Sequence, residues 1–543
     1  MCTLFTCFSL ADPGAGCALA EFRPLPAGCP PCSPSPSSSY SRLQRRDTPE
    51  VTESTLPDSR LSGAELDAPD DERHAGRNRL VINILIVSAF VVILNETIMG
   101  VALPHLMADF SITANAAQWL TTAFMLTMAV VIPITGFLIQ RFTTRQVFIA
   151  AMALFSLGTL VAAAAPGFEV LLVARVVQAL GTAIMMPLLM TTVMTLVPAQ
   201  TRGRTMGNIS IVISVAPAIG PTISGLILSA LSWRFMFILV LPIAIAALVI
   251  GAMRIKNVTV PRQVPIDVLS IVLSAFAFGG LVFGLSSMGE SANGGMPGWI
   301  PLVVGGVALA AFIVRQLVLQ RQDRALLDLR TFTARTFTVS VLMFAISMMA
   351  LFGTIILLPL YMQEVLHLDT LASGLLLLPG GLLMGLLSPV VGRLYDRFGP
   401  RPLLVPGSIV LSGVLWSLTQ VSPTTPWWAV LLAHIGLSAA LAFMFTPLFT
   451  ASLGSLRPSL YSHGSAVVGT VQQVAGAAGT ALFISVMSAV AASQVASGTD
   501  AVAAQASGIT TAFTYGAVIS LFGIVAAFFV RRPADSDAPA MGH

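Results

Sequence analysis

Charged side chains are scarce in this sequence. Asp, Glu, Lys and Arg make up 10% of its 543 residues, whereas 55% are hydrophobic; an ordinary soluble domain has about 25% charged residues. Long apolar stretches recur, and about 18 or more apolar residues are enough to cross a bilayer. The composition therefore excludes a string of soluble domains and predicts an integral membrane protein. A net charge of +4 over this length gives no sign of a nucleic-acid partner.

Cysteine is absent from the apolar part of the chain. All five cysteines, Cys2, Cys7, Cys17, Cys29 and Cys32, lie in the first 32 residues, so disulfides cannot hold the membrane part together. The Cys29-Pro-Pro-Cys32 segment has the C-x-x-C spacing of a metal or redox pair. No second pair and no histidine cluster completes a zinc site around it. We therefore expect unpaired thiols and no bound metal.

Signatures of enzymes and of ATP hydrolysis are missing as well. The sequence contains no Walker motif and no H-E-x-x-H motif or paired acids within an apolar segment. A membrane-integral enzyme needs such a cluster of reactive groups. The sequence therefore predicts a protein that is not an enzyme, has no cofactor and, if it transports, uses an ion gradient.

The chain divides into polar ends and an apolar middle. Residues 1–79 are rich in Pro, Ser and acidic residues, which predicts a disordered tail. The middle contains fourteen apolar segments, each far longer than the roughly 10-residue alternating strands of a membrane barrel, so we predict fourteen helices. The predicted divisions are a tail at 1–79, a six-helix half at 80–253, two inserted helices at 254–335, a second six-helix half at 336–530 and a tail at 531–543.

The arginines and lysines indicate an orientation. Alternate loops carry nearly all of the basic residues, whereas the loops between them carry acids and, with the exception of Arg234, no base. By the positive-inside rule the basic loops, and with them both termini, are cytoplasmic. An even number of spans requires the termini to share a side, which agrees. We expect a multi-pass protein of the cytoplasmic membrane.

An internal repeat is visible in two basic loops. The segment GFLIQRFTTR at 136–145 follows span 2, and GRLYDRFGPR at 392–401 follows span 10. Gly, Leu, Arg, Phe and Arg coincide in the two segments, which predicts two related halves with an inserted helix pair. The matched residues that we single out are Gly136, Arg141 and Arg145 in the first copy and Gly392, Arg397 and Arg401 in the second, together with Asp396, whose counterpart is Gln140.

Several motifs resemble those of one family in the same order along the chain. GFLIQRFTTR is similar to the loop signature G-x-L-A-D-R-x-G-R-R of the major facilitator superfamily. LLVARVVQALGTA at 171–183 is similar to its span 4 motif, and APAIGPTISG at 216–225 to the antiporter motif of span 5, with Gly220, Pro221 and Gly225 matched. ILNETIMGVALP at 93–104 resembles the span 1 signature L-D-x-T-V-V-N-V-A-L-P of the 14-span drug:proton antiporters, the multidrug and lincomycin-type resistance exporters.

The resemblance implies a fold and an activity. The fold is the major facilitator fold with a 6+2+6 arrangement of helices, and the activity is proton-coupled antiport of hydrophobic or lipophilic cationic drugs by a monomer. The resemblance also implies that the repeated loops latch the two halves together at the cytoplasmic face. One alternative on the same fold is an exporter of one endogenous lipid, siderophore or antibiotic; a non-transporting receptor is another.

Two charged residues lie away from the ends of the spans. Glu96 is in span 1 and Arg175 in span 4. Ionised groups inside a membrane are costly, and they usually face the bundle interior or a wet cavity. We therefore predict that Glu96 binds the coupled proton and that Arg175 assists it. The family's usual acid is one residue earlier, where this chain has Asn95.

Few other polar residues are available to line a cavity. Methionine is plentiful, and its flexible side chain suits varied apolar ligands. For several candidates a purely structural role stays open: His434 as a hydrogen bonder, Gly220 and Pro221 as helix packing, Arg141 and Arg145 as topology charges. The predicted cavity residues are Asn95, Thr97, Gln118, Trp119, Gln178, His434, Gln472 and Gln473.

The predicted orientation can be tested with single cysteines in a variant that lacks the five native ones. Gln322→Cys lies in a basic loop and Thr499→Cys in an acidic one. A membrane-impermeant maleimide added to intact cells should label Thr499→Cys only, because Gln322→Cys faces the cytoplasm. Labelling of Gln322→Cys in sealed cells would reverse the orientation.

Overall fold

The computed structural model describes residues 68–255, 257, 261, 265–287 and 297–532. All regular structure in this part of the chain is helical, and fourteen helices are long and apolar enough to cross a membrane, which confirms the predicted fold class. They are α1 (Ala68–Phe110), α2 (Ala114–Arg141), α3 (Thr144–Ala163), α4 (Phe168–Leu196), α5 (Arg202–Ala230), α6 (Arg234–Arg254), α7 (Val268–Ser287), α8 (Trp299–Leu319), α9 (Arg335–Leu360), α10 (Thr370–Phe398), α11 (Arg401–Leu418), α12 (Trp427–Gly454), α13 (Tyr461–Ala496) and α14 (Ala501–Ala527).

The first helix begins earlier than its hydropathy indicates. α1 starts at Ala68, so residues 68–79, which the sequence places in a disordered tail, are helical and that part of the prediction is wrong. The only proline of this polar segment is Pro69, in the first turn, where proline is tolerated. Three acidic residues follow at 70–72, and acids near a helix N-terminus are favourable. The five cysteines lie outside the described residues.

Helices α1–α6 pack on one another, and helices α9–α14 do the same. The two groups meet along two seams: α2 contacts α13, and α10 contacts α5. In the predicted repeat, α2 corresponds to α10 and α5 corresponds to α13. The operation that relates the two halves therefore superposes the α2–α13 seam on the α10–α5 seam. Parallel repeats related by an axis along the membrane normal produce this arrangement.

Glycine allows α5 and α10 to approach at backbone contact distance. A Cβ atom at Gly203 would lie 2.6 Å from the carbonyl oxygen of Gly392, and one at Gly207 would lie 2.5 Å from that of Ser388. Side chains at these positions would force the helices apart. Small residues four positions apart are typical of close contacts between membrane helices.

The halves are joined more tightly on one side of the membrane than on the other. We call the side where α1 begins and α14 ends the terminal face, and the opposite side the distal face. Near the terminal face, hydrogen bonds connect α2 to α13 and connect α5 to both α10 and α12. Towards the distal face, a Cβ atom at Gly225 of α5 or Gly374 of α10 would meet nothing within 4 Å. Among the described residues, the hydrogen bonds between the two halves therefore lie mainly towards the terminal face.

The inserted helix α7 lies against the α2–α13 seam. Ala129 of α2, Val282 of α7 and Ala477 of α13 form one buried cluster. Nearer the distal face, the rings of Trp119 and Phe283 pack with centroids 5.8 Å apart. Helix α8 packs on the other side of α7. One of the two seams is thus covered by an additional helix pair.

A polar network ties the inserted pair to the loop after α8. Asp267 precedes α7 and accepts hydrogen bonds from Arg315 of α8, from Nε at 2.7 Å and from Nη2 at 2.6 Å. Ser270 donates its hydroxyl to Asp267 and accepts from Nε2 of the fully buried Gln316 at 2.8 Å. The Gln316 carbonyl oxygen accepts from the backbone N–H of Leu326 at 2.8 Å. These contacts give Asp267 a structural role.

The Asp267 network generates a prediction about stability and pH. The hydrogen bonds from the Arg315 side chain, the largest cause, hold the pKa of Asp267 at about 2. Because the folded pKa is lower than in the unfolded chain, the stabilisation is present above about pH 4 and is lost as the pH falls towards 2. Asp267→Asn should therefore lower the free energy of unfolding at pH 7 by roughly 1 kcal/mol, after allowance for solvent screening.

Thermal unfolding of purified protein in detergent measures this effect. The unfolding midpoints of the wild type and Asp267→Asn should differ at pH 7 and converge as the pH falls to about 2. Equal midpoints at pH 7 would show that the ion pair contributes nothing to stability.

Candidate functional site

Arg175 lies completely inside the first half, with 1% of its surface exposed. Its Nη1 donates to Oε1 of Gln178 at 2.9 Å and to Oδ1 of Asn95 at 3.3 Å. The carbonyl oxygen of Leu120 lies 3.5 Å from Nε. The guanidinium carbon is 4.1 Å from the centroid of the Phe124 ring, within the range of a cation–π interaction. The cation is therefore held by neutral partners from α1, α2 and α4.

The Arg175 partners are themselves held by further hydrogen bonds. Nε2 of Gln178 donates to the hydroxyl of Thr159 on α3 at 2.8 Å, and that hydroxyl donates to the carbonyl of Phe155 at 2.7 Å. Asn95 is different: its Nδ2 is buried and has no hydrogen-bond partner among the described residues. An unsatisfied buried donor costs about 1–3 kcal/mol. Its amide therefore remains available to a ligand or a moving side chain.

Glu96 stands beside this network without a direct partner. Its side chain is partly exposed, and its carboxylate has no ion pair or hydrogen bond among the described residues. It nevertheless lies within electrostatic range of Arg175. The structure therefore brings together the two predicted charges in one region of the first half. A carboxylate that is near a cation but not bonded to it can change its protonation state without breaking a structural contact.

Thr97 lies at the contact between α1 and α5. Its hydroxyl donates to the carbonyl of Leu94 at 2.9 Å and lies 3.5 Å from the carbonyl of Ala216. A Cβ atom at Gly220 would lie 3.0 Å from the Cβ of Thr97 and would collide with its hydroxyl. Gly220 thus serves close packing. Helix α5 continues without interruption through Gly220, Pro221 and Gly225.

Two predicted cavity residues of α2 lie near its distal end. Gln118 and Trp119 are exposed, and the Trp119 ring packs on Phe283 of α7. Leu120, by contrast, turns its carbonyl towards Arg175. Trp119 therefore faces the inserted helix rather than the Arg175 cluster.

Among the described residues, the predicted cavity residues of the second half have no hydrogen bond to the Arg175 cluster. Nε2 of His434 lies 3.0 Å from the carbonyl oxygen of Leu377, so His434 connects α12 to α10. Gln472 and Gln473 are partly buried on α13. The Nε2 of Gln473 lies 4.0 Å from the sulfur of Met128 on α2. This contact crosses the seam but is a weak one.

The second copy of the repeated loop forms a charged cap on α5. Asp396, at the end of α10, accepts hydrogen bonds from the backbone N–H groups of Gly203 at 2.7 Å and Arg204 at 2.8 Å. These groups open α5, where a negative charge is favoured by the unpaired N–H groups and the helix dipole. A carboxylate of one half therefore caps a helix of the other.

The first copy is built differently. Gln140 donates from Nε2 to the hydroxyl of Ser462 at 3.0 Å and to the carbonyl of Ser459 at 3.1 Å. A Cβ atom at Gly136 would lie 3.1 Å from the carbonyl oxygen of Ser462, so the approach of the helices is close here too. The uncharged Gln140, a hydrogen-bond donor here, thus occupies the position that the charged acceptor Asp396 has in the second copy, as the sequence indicates.

The arginines of the two loops have local structural contacts. Arg145 donates from Nε to the carbonyl of Ala252, in the last turn of α6, at 2.9 Å. Arg401 donates in the same way to Val530 at 3.2 Å. Arg141 and Arg397 lie over the rings of Phe137 and Phe398. Arg145 and Arg401 thus satisfy carbonyl groups at or just after helix ends, a common role of basic side chains.

Several residues of the site were not identified from the sequence. Phe124 and Thr159 complete the surroundings of Arg175, and their residue types are too common in membrane helices to stand out. Gly203 and Gly207 had a usable signal, because small residues four positions apart mark close helix contacts. We did not single them out.

Comparison with known proteins supports this description. Residues 85–480 match the Major Facilitator Superfamily. The chain is 43% identical over 455 residues, 84% of its length and 95% of the relative's, to an uncharacterized MFS-type transporter YcnB of Bacillus subtilis. It is 41% identical to the lincomycin resistance protein LmrB of Listeria monocytogenes, covering 83% of this chain and 96% of that one. It is 30% identical to a multidrug resistance protein B homolog of Mycobacterium tuberculosis, covering 77% and 81%.

Solved structures agree on the fold. The human organic anion transporter MFSD10 superposes with a TM-score of 0.59 at 14% identity, over 83% of this chain and 99% of that one. The proton:xylose symporter XylE superposes with a TM-score of 0.56 at 16% identity, over 84% and 97%. The helix count, the two seams and the matched sequence converge on one conclusion. The chain belongs to the major facilitator superfamily, as a multi-pass transporter of the cell membrane.

Proposed function

We propose that this transporter exports hydrophobic or lipophilic cationic drugs from the cytoplasm in exchange for protons. Relatives that match over most of their length are named for lincomycin resistance and multidrug resistance, which supports drug export. The observation that carries the coupling is Glu96, an acid inside a span, partly exposed, without a bonded partner and in electrostatic range of Arg175. The transporter acts as a monomer and needs no cofactor.

Glu96 couples transport to protons through the cost of its charge. An ionised carboxylate in a membrane interior costs several kcal/mol unless water or a cation compensates it. When the site opens to the outside, Glu96 takes a proton. When the site opens to the cytoplasm, Glu96 releases the proton. The negative charge that remains on Glu96 is then balanced by the bound cationic drug or by Arg175. The buried Arg175 keeps its neutral partners throughout.

Alternating access then requires the terminal face to open. In this proposal the terminal face, with its basic loops, is cytoplasmic, so the present conformation is closed towards the cytoplasm. Opening it breaks the bonds from Gly203 and Arg204 to Asp396 and those from Gln140 to the start of α13. Each of these contacts consists of only one or two hydrogen bonds, so each can re-form after a turnover.

The alternative, export of one endogenous compound, differs in breadth of substrate. A panel of unrelated drugs, tested in cells that lack other pumps and with or without a protonophore, distinguishes the two. Protonophore-sensitive resistance to several unrelated compounds supports the proposal, and resistance to none contradicts it.

The coupling role of Glu96 is tested by Glu96→Gln. In proteoliposomes the drug uptake that a pH gradient drives should fall at least tenfold in the variant, because a glutamine cannot exchange a proton. It should keep equilibrium binding of an uncharged substrate, since the amide has nearly the same shape. Asp267→Asn serves as the matched control and should keep the pH dependence of the wild type. Glu96→Gln vesicles that still concentrate drug normally would refute the role.

The double variant Asn95→Asp/Glu96→Gln extends this test. Nη1 of Arg175 lies 3.3 Å from Oδ1 of Asn95, so an aspartate there forms a direct ion pair with the arginine. We expect gradient-driven uptake to be restored only in part, because the paired acid holds its charge more firmly. Full restoration would show that the position of the acid is unimportant.

The role of Arg175 is tested by two substitutions. Arg175→Ala should abolish transport, because it removes the cation and leaves Asn95 and Gln178 without their donor. Arg175→Lys should keep only a small part of the activity, since a lysine lacks the Nε–H that faces the Leu120 carbonyl and the planar group that lies over the Phe124 ring. Expression at the membrane, followed with a fused fluorescent protein, separates lost activity from lost folding. Normal drug efflux by Arg175→Ala would exclude the role.

A further inference from the structure

Two pairs of buried hydroxyl groups join the halves between the Arg175 cluster and the terminal face. Thr446 of α12 donates to the hydroxyl of Ser210 of α5 at 3.0 Å. Thr191 of α4 donates to the hydroxyl of Ser465 of α13 at 3.2 Å. All four side chains are at most 5% exposed. Each pair links a helix of the first half to a helix of the second.

The two pairs are copies of each other under the internal repeat. Thr446 lies 255 residues after Thr191, and Ser465 lies 255 residues after Ser210. In both pairs a threonine donates across the seam to a serine. That serine in turn donates to the carbonyl four residues earlier in its own helix, Met206 at 3.0 Å in one case and Tyr461 at 2.8 Å in the other. The arrangement therefore occurs once on each side of the molecular pseudo-axis.

The pairs lie between the Arg175 cluster and the terminal face. Ser210 is eight residues after the start of α5 and Ser465 four after the start of α13, so they lie roughly 12 Å and 6 Å along their helices at 1.5 Å per residue. Arg175 is 21 residues from the same end of α4, or about 31 Å. A compound that moves from the terminal face to the cluster therefore passes the level of the hydroxyl pairs.

Hydroxyl groups suit a contact that separates in each turnover. A hydrogen bond between two protein groups contributes only about 0.5–1.5 kcal/mol net, because water replaces the lost partner when the contact opens. Purely apolar surfaces at this place would resist exposure to water. The serines keep their bond to their own helix when the seam opens, so only the bond across the seam is exchanged.

We propose that Thr191, Ser210, Thr446 and Ser465 form a gate. In the opposite conformation the four hydroxyls separate and line the vestibule of the terminal face, where they offer polar contacts to an amphiphilic substrate. The direction of that transport rests on the proposed export function. The gate itself requires only that the halves move apart at the terminal face.

A matched control exists inside the second half. The hydroxyl of Ser520 on α14 donates to that of Ser412 on α11 at 2.9 Å, and both residues are at most 3% exposed. This pair has the same chemistry and burial but does not cross a seam. If each half moves as a rigid body, the Ser412–Ser520 contact persists in every conformation.

Paired cysteines test the gate. In a variant whose five native cysteines are replaced by serine, Ser210→Cys/Thr446→Cys and Thr191→Cys/Ser465→Cys should each form a disulfide on oxidation. Drug transport by the oxidised proteins should fall at least tenfold and recover on reduction. The control Ser412→Cys/Ser520→Cys should transport within about twofold of its reduced form. Undiminished transport by the cross-linked Ser210→Cys/Thr446→Cys protein would overturn the gate.

Labelling of single cysteines provides a measurement that does not depend on drug transport. Ser210→Cys should react slowly with a hydrophilic maleimide in the present conformation and several-fold faster in the Asp396→Asn background, which loses the charged cap between α10 and α5. Ser412→Cys should stay unreactive in both backgrounds. Faster labelling of Ser210→Cys without drug export would keep the gate and refute the export function. Equal, slow labelling of Ser210→Cys and Ser412→Cys in both backgrounds would refute the gate.

Discussion

The cost of placing a cation inside an apolar helix bundle governs the first half of this transporter. Arg175 has no ion-paired partner among the described residues, so its charge is balanced by the dipoles of Asn95 and Gln178, by a backbone carbonyl and by the face of Phe124. These groups come from three helices, and Thr159 adds a fourth. The arrangement keeps α1–α4 in fixed relative positions, because loss of one partner leaves a buried polar group unsatisfied. Glu96 lies at its edge and is left without a bond.

The helices are held together by apolar packing and by a small set of polar contacts between the halves. One continuous apolar core, to which described helices of both halves contribute, does not readily exchange its partners with water. Between the halves, the terminal side is joined by glycine-mediated backbone contact, by hydroxyl pairs and by the cap from Asp396 to α5. Each of these contacts can be replaced by water at low cost. The polar contacts between the halves thus lie where the sequence repeats, and the inserted helix α7 covers one of the two seams.

Divergence between the repeats has placed charge asymmetrically. The loop after α2 has Gln140 where the loop after α10 has Asp396, and only the acid caps a helix of the opposite half. In α1 the acid Glu96 directly follows Asn95. One position is about 100° of helix rotation. Asn95 bonds the buried arginine, whereas Glu96 has no hydrogen bond or ion pair among the described residues. The hydroxyl pairs, in contrast, have kept the symmetry of the repeat.

The sequence by itself determined the helical membrane fold, the fourteen spans, the repeat and the two intramembrane charges, because hydrophobic length and rare charges are local properties of a chain in a bilayer. It could not decide where side chains meet. Trp119, a predicted cavity residue, packs on Phe283 of α7, and Gly220 of the span 5 motif lies in close contact with Thr97 of α1. The pairing of Ser210 with Thr446 joins residues 236 positions apart. Such contacts depend on which face of each helix turns inward, and only the packing of all fourteen helices sets that.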